Sequence, residues 1–434
     1  MNVALNYSEL FREWQPKLPG QQLDWLAKER QLGLDYFTSH GFPKASDEPW
    51  KYTHLESFLR ADFAPALYDA NSISKAQLAP FTIADFPCYQ LVFINGWLHS
   101  GLSDIAPLAA IGCTPLSQSF DKALVQETVA TPPQDSLVAL NTAFMADGMA
   151  LNIPEGKLLD KPIHLLFLTL PGNKPYATHS RCIIRAGAGS HATIVETHAA
   201  LGKGVYWSNN VTHVALAPNA TVQHYKLQNE SAESCHIGTT LATLDKHSNY
   251  TNFTLNIGGK IARNAIHTNI IGERAECHLN GAFLGSGNQL LDHYLPVVHN
   301  ATHSTSHQHY KGVLSGQSQG VFYGKIIVPP KAIKTDAHQL NQNLILSQGA
   351  TIYSRPELEI DTDDVQCSHG SATGDMDEDA LFYLRSRGIA ENDARNLLIE
   401  GFVDDVLESI SQDTIKQHLH NAMHDWLVNH LEVR

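Results

Sequence analysis

The stretch from His191 to Leu284 decides the reading of the fold. Four runs stand out in it: HATIVETHA (191–199), NATVQHYKL (219–227), NYTNFTLNI (249–257) and AECHLNGAFL (275–284). Each is rich in β-branched residues, half-alternating and of strand length. They recur at intervals of about 25 to 30 residues, a solenoid period. A unit that short cannot bury its own apolar face, whereas stacked units make a continuous core with polar stripes outside. Tight NG or DG turns do not regularly separate the runs, which weakens an antiparallel sandwich and puts a β-helix first.

Similar runs lie on both sides, among them YQLVFING (89–96), PIHLLFLTL (162–170) and GVFYGKIIV (320–328). The β-rich segment is therefore expected to span residues 86–373. Residues 1–85 read as helical. Leu10 and Trp14 in SELFREWQ are four apart, LDWLAKERQLGLDYF (23–37) keeps one apolar face, and Pro16 and Pro19 break the chain between them. A turn-rich joint and a short helix-like stretch follow in HGFPKASDEPWKYTHLESFLR (40–60). Residues 374–434 return to helix. Asp375 with Glu378 is the expected cap, Gly388 the expected stop. Leu398, Phe402, Val406 and Ile410 form the next stripe, and TIKQHLHNAMHDWLVNHL (414–431) the last helix.

The formal charge of −14 excludes a general nucleic-acid binder, which needs a basic surface. Six scattered cysteines, with no CxxC, argue against a disulfide framework and point to a reduced, cytoplasmic protein. The first residues carry Glu9, Arg12 and Glu13 where a signal peptide needs an apolar core, and no run is long enough to span a membrane. Phosphate-loop, GxSxG, HExxH and GxGxxG signatures are all missing. Histidine is abundant, with 24 residues, and His299, His303, His307 and His309 crowd into HNATHSTSHQHYKG (299–312). Strand-surface histidine is the plain account of most of them.

One pair invites chemistry. Cys367 and His369 in DDVQCSHGSATG (363–374) are two apart, so an extended strand points both to one side. They read as part of a metal site lacking further ligands, as a nucleophile with its base, or as a buried cysteine beside an unrelated histidine.

DDVQCSHGSATG with LFYLRSRGI (381–389), EPWKYTHL (48–55), AIKTDAHQLNQNLIL (332–346) and RPELEI (355–360) together resemble the SufB/SufD family of iron–sulfur cluster assembly proteins, in particular its SufD branch. The match runs over essentially the whole chain. The resemblance implies a mainly β protein, a right-handed parallel β-helix flanked by helical N- and C-terminal regions. It implies a non-catalytic scaffold that pairs with a SufB-like sister chain and docks a SufC-like ABC ATPase, which supplies the missing phosphate loop. It implies that His369, with Cys367 beside it, contributes to a transient nascent cluster shared with SufB. It places Phe382, Tyr383, Leu384, Arg385 and Arg387 at the ATPase. Lys334, Thr335 and Asp336 match a family motif and fit a corner of the β-helix. A purely structural partner of SufB without a ligand of its own is the alternative, and a β-helix enzyme acting on a polymer rests on fold analogy alone. The residues do not speak for or against a flavin or a homodimer of the isolated chain.

Overall fold

The computed structural model describes residues 3–56, 58–66, 73–131 and 135–430. From Gly148 onward the chain winds through eight successive coils. The first joins Gly148–Ile153 to Ile163–Thr169, the last Thr351–Ile360 to Gln366–Gly374. Alternate strands fall into two sheets, of eleven and ten strands, whose coil-to-coil pairings are parallel throughout. The four runs that define the repeat stack directly, with Ala192, Val222, Tyr250 and Cys277 in one column. This is the parallel β-helix expected from the period.

The corners explain why the turn signals were weak. Two residues before six strands of the ten-strand sheet, those that begin at residues 191, 221, 249, 276, 305 and 336, the backbone turns left-handed, at Gly189, Asn219, His247, Arg274, His303 and Lys334. Each of these N–H groups donates to a carbonyl of the next coil, for example His303 to Ile333 (3.0 Å) and Lys334 to Asp364 (2.6 Å). Only one of the six is glycine, so the repeat hides from a search for turn dipeptides. Thr335 caps the Lys334 corner through Ala332 O (2.8 Å), as expected of that motif.

Between the sheets Leu, Ile, Val and Phe side chains form one continuous core. Yet the interior is polar in places. Glu196 accepts from Thr212 and lies 3.2 Å from both His198 and His224, while Glu230 lies 2.6 Å from His236 and accepts from Ser208. Lys226 reaches Asn264 beside them. Seven histidines are buried: His164, His179, His198, His224, His236, His293 and His299. These seven of the 24 histidines depart from the strand-surface account given for most of them. A strand's inner face accepts an imidazole where a neighbouring coil offers a hydroxyl or carboxylate, and the sequence does not display that pairing.

The two outer faces are covered by the chain's ends. Helices Val3–Trp14 and Asp24–His40, with Trp50, Leu137 and Phe144, pack on Trp207, Ile237 and Ile261 of the eleven-strand sheet. Helices Glu391–Leu407 and Asp413–His430 pack on Tyr225, Phe253, Leu255 and Val313 of the other. The short helix-like stretch expected at the end of residues 40–60 shows only turns in its described residues, with Ser57 outside them. The β-rich segment also holds helices, Ile105–Ala109, Ala123–Val129 and Ser136–Phe144; the last is not legible because every residue of SLVALNTAF is buried and no stripe forms. The cap of Glu378–Ser386 is Asp377, not Asp375, because the preceding strand runs on to Gly374. Gly388 stops the helix with φ +89°. The buried face of the next helix is Ala394, Ile399, Val403 and Val406, so Leu398 and Phe402 flank it rather than form it. Leu431, the end of the last expected helix, lies outside the described residues.

Candidate functional site

The last coil closes neither sheet. Gln366–Gly374 pairs with Asp336–Ile345 on one side and ends its sheet, as Thr351–Ile360 ends the other. Earlier coils bury most of their inner residues, but every residue of this coil is half-buried or exposed. It is the open end of the solenoid, with two unpaired strand edges side by side.

Cys367 and His369 stand there together. Register places Cys367 over Ala337, Ser306 and Cys277, and His369 over Gln339, Gln308 and Leu279. These columns line the interior, so both side chains point toward the solenoid axis where it opens. Cys367 is half-buried against Ile326, Val328, Ala337, Leu358 and Ile360. Burial pushes its thiol up, the Ala337 backbone pulls it back in part and Asp336 adds to the rise. His369 is exposed and has no partner among the described residues. No group of three or more His, Cys, Asp or Glu side chains converges as a metal site among the described residues.

The motif strands meet around this pair. Asp336 Oδ1 lies 2.7 Å from His338 Nε2, and His338 Nδ1 lies 2.6 Å from Ser368 Oγ, on the outer face of the strand that carries Cys367 and His369. His338 stacks on His307, which stacks on His278, with ring centres 5.3 and 5.4 Å apart. The crowded histidines of residues 299–309 therefore separate. His299 is buried between Ser304 and Ser306, His303 turns a corner, His307 joins the outer ladder and His309 faces Asp405.

EPWKYTHL and RPELEI, far apart in sequence, are bound to each other. Arg355 donates to Glu48 (2.5 Å) and Glu357 (2.8 Å), and Tyr52 stacks on Tyr353 at 4.1 Å. Tyr52 O accepts from Gln319 (2.8 Å), Thr53 donates to Asp292 (2.5 Å), and Trp50 covers Arg263, itself paired with Asp292. The segment is a strap across the outer face of the last coils. Residue patterns in either motif alone gave no sign of this.

The five expected docking residues lie on or just after the Glu378–Ser386 helix. Phe382 (73 %) and Tyr383 (57 %) are the two most exposed of its large apolar side chains. Arg387 lies over the Tyr383 ring and Arg385 pairs with Glu391 (3.3 Å), whereas Leu384 turns partly into the core.

Comparison with known proteins agrees with this architecture. Residues 1–165 match the SufBD protein N-terminal region, and residues 169–402 match the SufBD core domain of the SUF system for FeS cluster assembly. An iron–sulfur cluster assembly SufBD family protein of Synechocystis is 32% identical over 426 residues, covering 94% of this chain and 93% of the relative. The iron–sulfur cluster assembly protein SufD of Escherichia coli is 27% identical over 398 residues, covering 90% of each. The chloroplastic protein ABCI7 of Arabidopsis thaliana is 28% identical, covering 91% and 85%. With both regions matched in order over one continuous solenoid, the chain belongs to the SufBD family of the SUF iron–sulfur cluster assembly system.

Proposed function

We propose that this chain is the SufD-like half of a cluster-building scaffold. Its open last coil pairs with a SufB-like sister chain, and the Phe382/Tyr383 surface docks a SufC-like ATPase. His369 supplies one ligand to a nascent cluster held between the two scaffold chains. The observation that carries the reading is the position of Cys367 and His369 at the open end, facing along the axis beside two unpaired strand edges. Such edges are templates for pairing with another chain. An incomplete ligand set at an interface is completed by the partner.

Within the pair, His369 is the ligand and Cys367 its packed neighbour. A thiol held up by burial is a poor ligand compared with a free thiolate, while His369 is exposed and unengaged. Imidazole in place of thiolate makes the cluster less negative and changes its potential, which suits a cluster that must leave. The scaffold itself catalyses nothing; nucleotide chemistry belongs to the ATPase. Six free cysteines suit the reducing cytoplasm. Among the described residues no helix is long and apolar enough to cross a membrane.

The assembly is tested by co-expressing the chain with SufB-like and SufC-like partners. Phe382→Ser combined with Tyr383→Ser is expected to release the ATPase and retain the sister chain. Retention of the ATPase by the double variant would refute the docking surface.

A further inference from the structure

The N-terminal region covers the eleven-strand sheet incompletely. Between helix Ser136–Phe144, the Glu48–Trp50 turn and the sheet runs a groove of about 910 Å³. Its floor crosses five neighbouring strands, from Arg181–Ala186 to Leu290–His299, about 19 Å at ordinary strand spacing. Ile183, Leu241 and Val298 are its apolar points, set among Thr239, His267 and Asn269 on the same face.

Arg181 stands at one end and is only 1% exposed. Its Nε donates to Asn141 Oδ1 (2.9 Å), and its Nη2 to Thr142 Oγ1 (2.9 Å) and Val138 O (3.3 Å). All three acceptors are neutral. Burial lowers its pKa to about 9, and no carboxylate opposes that shift. Buried charges are ordinarily matched by an opposite charge, and Arg263, in the same groove, is matched by Asp292. Arg185 is exposed four residues further along the same face, beyond Ile183. His213 lies opposite Ile183 on the adjacent strand, midway between the two arginines, with Nε2 buried and unpartnered. The groove has two acids. Asp135 accepts from the Leu137 and Val138 N–H groups and acts on His267, and Glu127 is exposed on the helical lip. The groove is polarised, with an unmatched cation at one end and acids along the lip.

We propose that this groove binds an organic anion, its phosphate or carboxylate head on Arg181, Arg185 and His213 and its extended apolar body along Ile183, Leu241 and Val298. The head group supplies the negative charge that the chain withholds from Arg181. Both head groups fit the guanidinium fork. The site lies on an outer sheet face, away from the open coil, and stands independently of the assembly reading.

Calorimetry on the full chain with octyl phosphate, octanoate and inorganic phosphate tests it. One equivalent of an octyl compound is expected to bind saturably, and Arg181→Met and Arg185→Ala are each expected to weaken it about tenfold or more. Arg181→Met leaves the buried acceptors Asn141 Oδ1 and Thr142 Oγ1 without their donor, so its melting temperature is expected to fall and its affinity is read below that melt. Arg185 is exposed, and its substitution leaves packing untouched. Tighter binding of octyl phosphate assigns the head as phosphate, tighter binding of octanoate as carboxylate. Inorganic phosphate binding as tightly as octyl phosphate would refute the apolar body. No saturable binding at about 1 mM, or unchanged affinity in both variants, would overturn the site.

Discussion

Trp50 and Glu48 sit two residues apart in one motif and carry unequal shares of its energy. Trp50 is 6% exposed, packed in the N-terminal core with the Arg263 guanidinium 4.0 Å from its ring centre. Trp50→Ala is expected to cost about 3–5 kcal/mol and to expose the Arg263–Asp292 pair. Glu48 is 61% exposed on its side chain, so its pairing with Arg355 is screened by solvent. Glu48→Gln is expected to change stability by less than about 1 kcal/mol. Urea unfolding of the two variants separates anchor from trim; equal losses would contradict that division. The same contrast holds at the open coil, where Cys367 is held by packing and His369 is exposed.

At the scale of the element, the recurring corner governs the solenoid. Asn219, His247, Arg274, His303 and Lys334 accept a left-handed backbone that costs a non-glycine residue roughly 1–2 kcal/mol. The inter-coil hydrogen bond at each corner offsets it. His303→Gly is therefore expected to raise unfolding stability by about 0.5–1 kcal/mol, and His303→Val to lower it. A neutral result for both in thermal melts would remove the corner from the account. These corners also mark how far the sequence could be read. Strand length and period were legible because HATIVETHA and its repeats alternate along the pleat, and the end helices because their apolar stripes are clear. The corner residues have no shared chemistry, SLVALNTAF has no polar face, and the Glu48–Arg355 contact joins positions 307 residues apart. None of these leaves a local pattern. The Cys367/His369 pair was legible because two residues of one strand share a face by geometry alone, whereas the register that turns this face inward comes from the fold.

For the whole molecule, the buried titratable groups set the pH response. Burial takes His236 from 6.5 to about 4, with Lys226 adding to it, and takes His293 to about 3. Between those values and 6.5 the unfolded chain binds protons that the native chain refuses, so stability is present above 6.5 and drains as pH falls. Burial would raise the Glu230 carboxyl, but His236 and Ser208 hold it down at about 2, so its contribution is lost as pH falls from 4.5 through that value. Asp147, pushed up by burial, works in the opposite sense as a single group. The melting temperature is expected to fall steadily from about pH 6.5 to about pH 4. A flat profile would mean that the interior histidines are hydrated and titrate normally.

The most direct test of the central claim is iron and acid-labile sulfide bound per complex. The chain is purified without oxygen together with the SufB-like and SufC-like chains proposed as its partners, alongside the His369→Ala variant. The account predicts a variant complex that assembles fully and carries little cluster. A variant complex with the same cluster content as the parent would contradict it, leaving the open coil as a pairing surface and nothing more.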